Sequence, residues 1–265
     1  MKILLKSTLL LALLWTVAAS SQAVPIRVFA ASSLTEAFGD IGAAYLRLHR
    51  SDPAEYSFAG APTLRTQIQE GALVDVFASD DRQNVDALAA QRLVGPKQIF
   101  ARNTMLVVVP AKSPRVIMIN ELSDKGVRVV LADTNVPAGH YAEQVLVKMT
   151  PGIQDNFAKR VLANVVSRVA DVRDVLAKVA RGEADAGIVF ATDVTAAGQR
   201  VRTIPIRPEY NVIGEYAIAP LTRSRNPRGA DSFIKFVMSS DGQAILRAHG
   251  FLSAGGLVSP PAGQP

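Results

Sequence analysis

Along almost its whole length, this chain alternates short apolar runs with stretches where apolar residues recur every three to four positions. That alternation limits the folds open to it. Residues 26–30 (IRVFA), 56–59, 74–78 (VDVFA), 105–109 (MLVVV), 127–132 (VRVVLA), 186–190 (AGIVF) and 215–221 (EYAIAPL) read as strands. Between them lie helical periods. Residues 34–48 place Leu34, Ala37, Phe38, Ile41, Ala44, Tyr45 and Leu48 on one face. Further helices are predicted over 64–69, 84–90, 141–149 and 172–180, with a pair over 230–249 interrupted near 239–242. This order predicts an α/β fold whose sheets are mainly parallel and flanked by helices. No internal repeat is present.

The first residues are of a different kind. Lys2 and Lys6 precede an apolar run over 8–19, and Ser21-Gln22-Ala23 supplies a small-x-small cleavage pattern. Residues 1–23 are therefore expected to be a cleavable secretory signal peptide, because the run is short of the roughly 20 residues a spanning helix needs. The expected location is periplasmic, with no membrane span after cleavage. The chain has no Cys, which excludes thiolate metal sites, Cys nucleophiles and a lipid-modified Cys anchor. Residues 24–265 are enough for one large or two medium domains without disulfide staples. The net charge is +6, or +4 without Lys2 and Lys6, and the basic residues are scattered with few aromatics among them. Such a surface does not predict a nucleic-acid partner.

In open α/β sheets, ligands bind beyond the carboxyl ends of strands, where helix N-termini point. Four strand-to-helix turns share one chemistry. Ala30-Ala31-Ser32-Ser33-Leu34-Thr35-Glu36 is small and polar, and Ser33-x-x-Glu36 matches a capping box. Phe58-Ala59-Gly60-Ala61-Pro62-Thr63-Leu64 places Pro62 in a first helical turn. In 133–141, Pro137 and Ala138-Gly139 open a helix, and His140 stands alone without metal partners. Asp171 is expected to cap the helix beginning at Val172. Each turn taken singly reads as an ordinary cap. Together they offer several N–H donors and partial positive charges to an anion without supplying full charges.

These turns, in this order, resemble the periplasmic molybdate-binding protein family of ABC importers. The resemblance rests on VFAASSLTEAF, SFAGAPTLRTQI, GALVDVFASDD, LADTNVPAGHYAEQVL, ADVRDVLAKVARGEADAGIVFATD and FIKFVMSSDGQAILRAHGF, and it covers nearly all of 24–265. It implies a two-lobed type II periplasmic binding protein fold. One lobe would be 24–104 plus 220–265 and the other 105–219, with crossover strands over 105–109 and 216–221 as hinge. It implies an ABC importer's solute-binding protein, a monomer, with no cofactor. Its ligand would be molybdate or tungstate, and its partner a membrane permease. Carried over by position, Ser33 matches a ligand serine, Ala138 and Val172 match backbone N–H donors, and Ala61 and Phe190 stand where the family has a second serine and a tyrosine. Both of these lack the hydroxyl. A hydrogen bond to a charged group is worth about 1.5–3 kcal/mol, so two losses would weaken binding by roughly two to four decades if unreplaced. Ser32, Thr63, Thr192 and a protonated His140 are candidate replacement donors.

Three other readings stay open: capture of another small anion, sulfate-like or a carboxylate; a sensor without transport; and an enzyme. No G-x-S-x-G elbow, HExxH or P-loop is present, and the three histidines form no constellation, so the sequence points to no enzyme. Asp75, Asp80 and Asp81 read as a strand exit and solvated turn in preference to a metal site. If N–H donors of the third turn hold the anion, Ala138→Pro is expected to abolish ligand-induced compaction, measured by X-ray scattering in solution.

Overall fold

The computed structural model describes residues 24–50 and 52–255. The expected signal peptide lies outside the described residues, as does the tail beyond 255. The strands in chain order are β1 (Ile26–Ala31), β2 (Ala54–Ala59), β3 (Val76–Ser79), β4 (Gln98–Pro110), β5 (Val129–Ala132), β6 (Val165–Val169), β7 (Ala186–Phe190), β8 (Val201–Pro205) and β9 (Ile213–Pro220). The helices are α1 (Thr35–Leu48), α2 (Ala61–Gln69), α3 (Gln83–Ala90), α4 (Pro137–Ile153), α5 (Phe157–Ala163), α6 (Val172–Ala180), α7 (Val194–Ala197), α8 (Pro227–Met238) and α9 (Ser240–Ala248).

The strands follow one path, β2-β1-β3-β9-β4-β7-β5-β6, with β8 on β4. Each end of the path is parallel: β1 runs between β2 and β3, and β5 between β6 and β7. Helical crossovers such as α1 and α2 force this, because a parallel neighbour can be reached only by returning over one face of the sheet. The middle is antiparallel and belongs to β4. Its residues 98–104 pair with β9, and its residues 105–110 pair with β7 and β8. One strand therefore belongs to two groups of strands.

The apolar pattern predicts where the core forms. Ala37, Phe38, Ile41 and Tyr45 of α1 are buried as their spacing requires, while Leu48, on the last turn, is exposed. The Phe38 ring meets Tyr56, Phe100 and Phe233 edge-on, with centroids 5.8–6.2 Å apart, which ties α1, β2, β4 and α8 together. Such pairs add about 0.5–1.5 kcal/mol each beyond area burial. On α4, Pro137 stands at the start and Gly139 is obligatory: a Cβ there would lie 2.1 Å from the Asp133 carbonyl oxygen.

Several expectations change. The strand expected over 105–109 begins at Gln98, because Arg102, Asn103 and Thr104 break the apolar run without breaking the ladder. The strand expected over 216–221 begins at Ile213 and ends at Pro220; it pairs with β3 and with the first half of β4, so residues 213–220 run with the first group of strands. α5, β6 and β8 were not expected. β6 ends the path and is only half buried, so VVSRV lacks a strong apolar signature. α4 starts four residues before the expected 141 and runs through Pro151 to Ile153.

The acidic stretch is not a solvated turn, since Asp75, Asp80 and Asp81 are all buried. Asp75 holds three chain segments together. Its Oδ2 accepts from the Arg27 N–H at 2.8 Å, and its Oδ1 from the Ser224 hydroxyl at 2.6 Å and the Arg225 and Asn226 N–H groups at 3.0 and 3.1 Å. Asp81 accepts from the Asn84 N–H and side-chain amide at 2.9 and 3.0 Å and so fastens the start of α3. Truncating Asp75 leaves several part-buried donors without their acceptor, at up to about 1–3 kcal/mol each. Asp75→Ala is expected to cost about 3 kcal/mol or more in total, read as a lower midpoint of thermal or urea unfolding.

Candidate functional site

Three parallel strand ends lie side by side. The last pairings are Ala31 with Ala59 and Ala30 with Ala78, so continuing the register sets Ser32, Gly60 and Asp80 level with one another. Ser32–Leu34 form a 3₁₀ turn before α1 begins at Thr35. This extra turn removes Ser33 from the capping position, and neither half of the expected capping box forms. Ser33 turns inward, and its Oγ accepts from the Tyr216 hydroxyl at 3.1 Å. Glu36 turns outward to Arg173. Gly60 precedes α2 and has extended backbone angles, with Pro62 in the first turn.

Facing them are the starts of α4 and α6 and the end of β7. Asp171 caps α6 as expected, its Oδ1 accepting from the Arg173 N–H at 2.8 Å. The same oxygen accepts from the Ser32 hydroxyl at 2.7 Å, so the cap also spans to the turn after β1 and is not merely solvated. The Arg173 guanidinium forms a two-pronged pair with Glu36, Nη1 to Oε1 at 2.8 Å and Nη2 to Oε2. A Cβ on Gly60 would lie 2.7 Å from the Ala170 carbonyl oxygen, which fixes how closely the facing turns approach. Such a partly exposed ion pair contributes on the order of 1 kcal/mol.

The site residues expected from the sequence are distributed as follows. Ser33, Ala61, Ala138, Val172 and Phe190 are all buried. The Phe190 ring packs on Tyr216, with centroids 5.5 Å apart, and on Tyr141 of α4 at 6.0 Å, which brings the ends of β7 and α4 to the Tyr216–Ser33 contact. Thr192 joins them, its Oγ1 accepting from the Asn103 side-chain amide at 2.8 Å. Ser32 spends its proton on Asp171. Thr63 is exposed. His140 is half buried, its ring paired with Gln144 at 2.7 Å along α4.

Sequence reasoning missed Asn103, Tyr216, Asp80 and Asp193. The signal for Tyr216 was its inward phase in a buried strand, and for Asn103 a polar residue inside a strand that had been read too short. Asn103 sets the direction of a hydrogen-bond chain. Its Oδ1 accepts from the Thr104 N–H at 3.0 Å, so its Nδ2 must be the donor, to Thr192 Oγ1 and to the Tyr216 oxygen at 3.1 Å. Tyr216 then passes its own proton to Ser33. The Ser33 hydroxyl keeps its proton for another acceptor, and accepting the bond from Tyr216 polarises it as a donor.

Charge in this region is mostly negative. Burial raises the Asp193 acid to about 7, opposed by the Arg173 guanidinium, whose Nε lies 3.8 Å from Oδ1. Asp80 is pushed well above the usual carboxylate range by burial and then by Asp81. Glu36 is lowered, chiefly by its hydrogen bond from Arg173. That contact is therefore at full strength above the ordinary carboxylate range and is lost as pH falls through the depressed value.

Small residues, helix starts, a directed serine hydroxyl and facing elements that close on one another define a binding cleft. The sequence profile of bacterial extracellular solute-binding proteins matches residues 26–252, and the chain belongs to that family. It is similar to the molybdate-binding protein ModA of Mycobacterium tuberculosis, 36% identical over 228 residues, which are 85% of this chain and 84% of that one. Among solved structures it resembles the periplasmic molybdate-binding protein of Azotobacter vinelandii, with TM-score 0.73 and 20% identity over 86% of this chain and 98% of that one. It also resembles the sulfate-binding protein SubI of Mycobacterium tuberculosis, with TM-score 0.77 and 17% identity over 88% of each chain. The fold is that of type II periplasmic binding proteins, with β4 shared between the two groups of strands.

Two outcomes are expected. Tyr216→Phe removes the proton given to Ser33 and should weaken anion binding about tenfold, the worth of one hydrogen bond, in calorimetric titration. Gly60→Val inserts a side chain where the Ala170 carbonyl stands, and the radius of gyration from scattering should then stay at the open value whatever is added.

Proposed function

We propose that the protein captures molybdate or tungstate in the cleft and delivers it, as a periplasmic monomer, to the membrane permease of an ABC importer. The observation that supports this reading is Ser33, whose Oγ accepts from Tyr216 and keeps its own O–H for another acceptor, next to Ser32 bonded to the Asp171 cap of α6 and near the close approach of Gly60, before α2, to Ala170. N–H and O–H donors that carry no full charge hold a dianion firmly while leaving it free to be released. The oxyanion is held by the Ser33 hydroxyl and by the backbone N–H groups of Ala61, Ala138 and Val172. Phe190 forms the apolar wall, and Tyr216 acts through Ser33 in place of the hydroxyl that Phe190 lacks.

Strand pairing supports a division into two lobes, 24–104 with the residues from 213 onward, and 105–212. Closure about that boundary brings Ser32 to Asp171 and Glu36 to Arg173. Binding energy drives closure, and the closed form is what the permease reads. A second reading, capture of sulfate or another small dianion, is favoured by the missing hydroxyls at Ala61 and Phe190.

The test is calorimetric titration of residues 24–265 with molybdate, tungstate, sulfate and phosphate in turn. Molybdate and tungstate are expected to bind at least tenfold more tightly than sulfate or phosphate. Tighter sulfate binding would establish the second reading. An absence of heat with all four would reject the first reading and, of the second, sulfate and phosphate.

A further inference from the structure

Asp80 is a buried acid of the cleft that the functions assigned above do not use; Asp193 is another, but it accepts from the Phe190 N–H and has the Arg173 guanidinium beside it. Asp80 stands at the carboxyl end of β3, level with Ser32 and Gly60 on the neighbouring strand ends. It is 3% exposed, and its Oδ1 has no hydrogen-bond partner among the described residues. A buried polar atom without a partner is costly unless something occupies it. Asp75 and Asp81, its companions in the sequence, both spend their oxygens on backbone and side-chain donors. Asp80 does not.

Among the described residues, no free cation faces it. Asp81 shares its segment, Asp171 and Asp193 approach from the turns before α6 and after β7, and Tyr216 and Tyr141 approach from β9 and α4. Arg173 is committed to Glu36 and stands beside Asp193, while Arg82 and Arg102 are committed to Glu215. Burial and the neighbouring carboxylates both favour the neutral acid. A dianion arriving beside it would favour that form further.

We propose that Asp80 is a ligand-contacting residue of the cleft that meets the oxyanion as the neutral acid and donates its O–H to it, so that capture takes up one proton. This rests on the oxyanion-binding reading and deepens it. It supplies a donor of the kind that Ala61 and Phe190 do not provide, from the third of three adjacent strand ends. An open, hydrated cleft lets Asp80 ionise, and the closed, occupied one requires it protonated. Binding is then tightest below the open-cleft pKa of Asp80 and weakens as pH rises from there toward the pKa in the occupied form.

The experiment is titration calorimetry of residues 24–265 with sodium molybdate and, separately, sodium sulfate. Runs from about pH 6 to about pH 8.5, in buffers of different ionisation enthalpy, give the protons exchanged together with the affinity. Wild type is expected to take up close to one proton per anion, with affinity falling up to about tenfold per pH unit. Asp80→Asn keeps an N–H donor and cannot titrate, so it should bind with a flat profile and no proton uptake. Asp80→Ala should bind about tenfold more weakly than Asp80→Asn, the worth of one hydrogen bond. Uptake that persists in Asp80→Asn would assign the proton to Asp193 and overturn the proposal. Binding with no uptake in wild type would also overturn it while leaving the oxyanion reading intact. Proton release, with binding lost in Asp80→Asn, would make Asp80 an acceptor for a protonated anion and overturn it as well. No heat at any pH with either anion in wild type would remove the oxyanion reading itself.

Discussion

The structure depends on a backbone ladder that changes partners partway along one strand. β4 hydrogen-bonds to β9 through Thr104 and to β7 and β8 from Met105 onward. Because each strand residue fixes the position of its neighbours, the parallel group β2-β1-β3 and the parallel group β7-β5-β6 are both referenced to this one strand. The cleft lies where their carboxyl ends face each other. Asn103, at the point of change, is also the residue whose amide orients Tyr216 and engages Thr192. The hydrogen-bond chain that prepares Ser33 therefore starts at the mechanical centre of the molecule.

For the proposed capture of an oxyanion, the acids Asp80, Asp171, Asp193 and Glu36 around the cleft pose an electrostatic problem, and each is handled differently. Asp171 is tied to the start of α6 and to Ser32. Glu36 is paired with Arg173, which also stands beside Asp193. Asp193 and Asp80 are buried so deeply that the neutral form gains ground. The positive character an anion needs comes from helix starts and N–H groups, with Arg173 occupied in balancing carboxylates.

Much of the architecture was legible because strand and helix periods are properties of local sequence. IRVFA, AGIVF and the α6 stretch were placed within about a residue, the ordinary margin for element ends. The turns that flank the cleft were found because small residues and caps have local signatures. What was not legible depended on partners distant in sequence. Tyr216 meets Ser33 across 183 residues, and Asn103 meets Thr192 across 89. No spacing rule reveals such pairs. Ser33 and Glu36 did fit a local rule, the capping box, but an extra 3₁₀ turn and a stronger partner, Arg173, displaced it. Asp80 resembled its neighbours Asp75 and Asp81 in sequence and is buried as they are, and only an unpartnered oxygen set it apart.

The bonds from Ser32 to Asp171 and from Glu36 to Arg173 touch protein on both sides. In the proposed capture they strengthen closure around any anion that fits and do so equally for each, so they cannot distinguish one anion from another. Their effect is on dwell time: they slow reopening, and with it the dissociation rate, leaving encounter with the anion largely untouched. Selectivity and residence are thus carried by separate sets of atoms. A chain of this design can lengthen or shorten the wait for its permease by altering an ion pair at the cleft rim, without revising which anion it accepts.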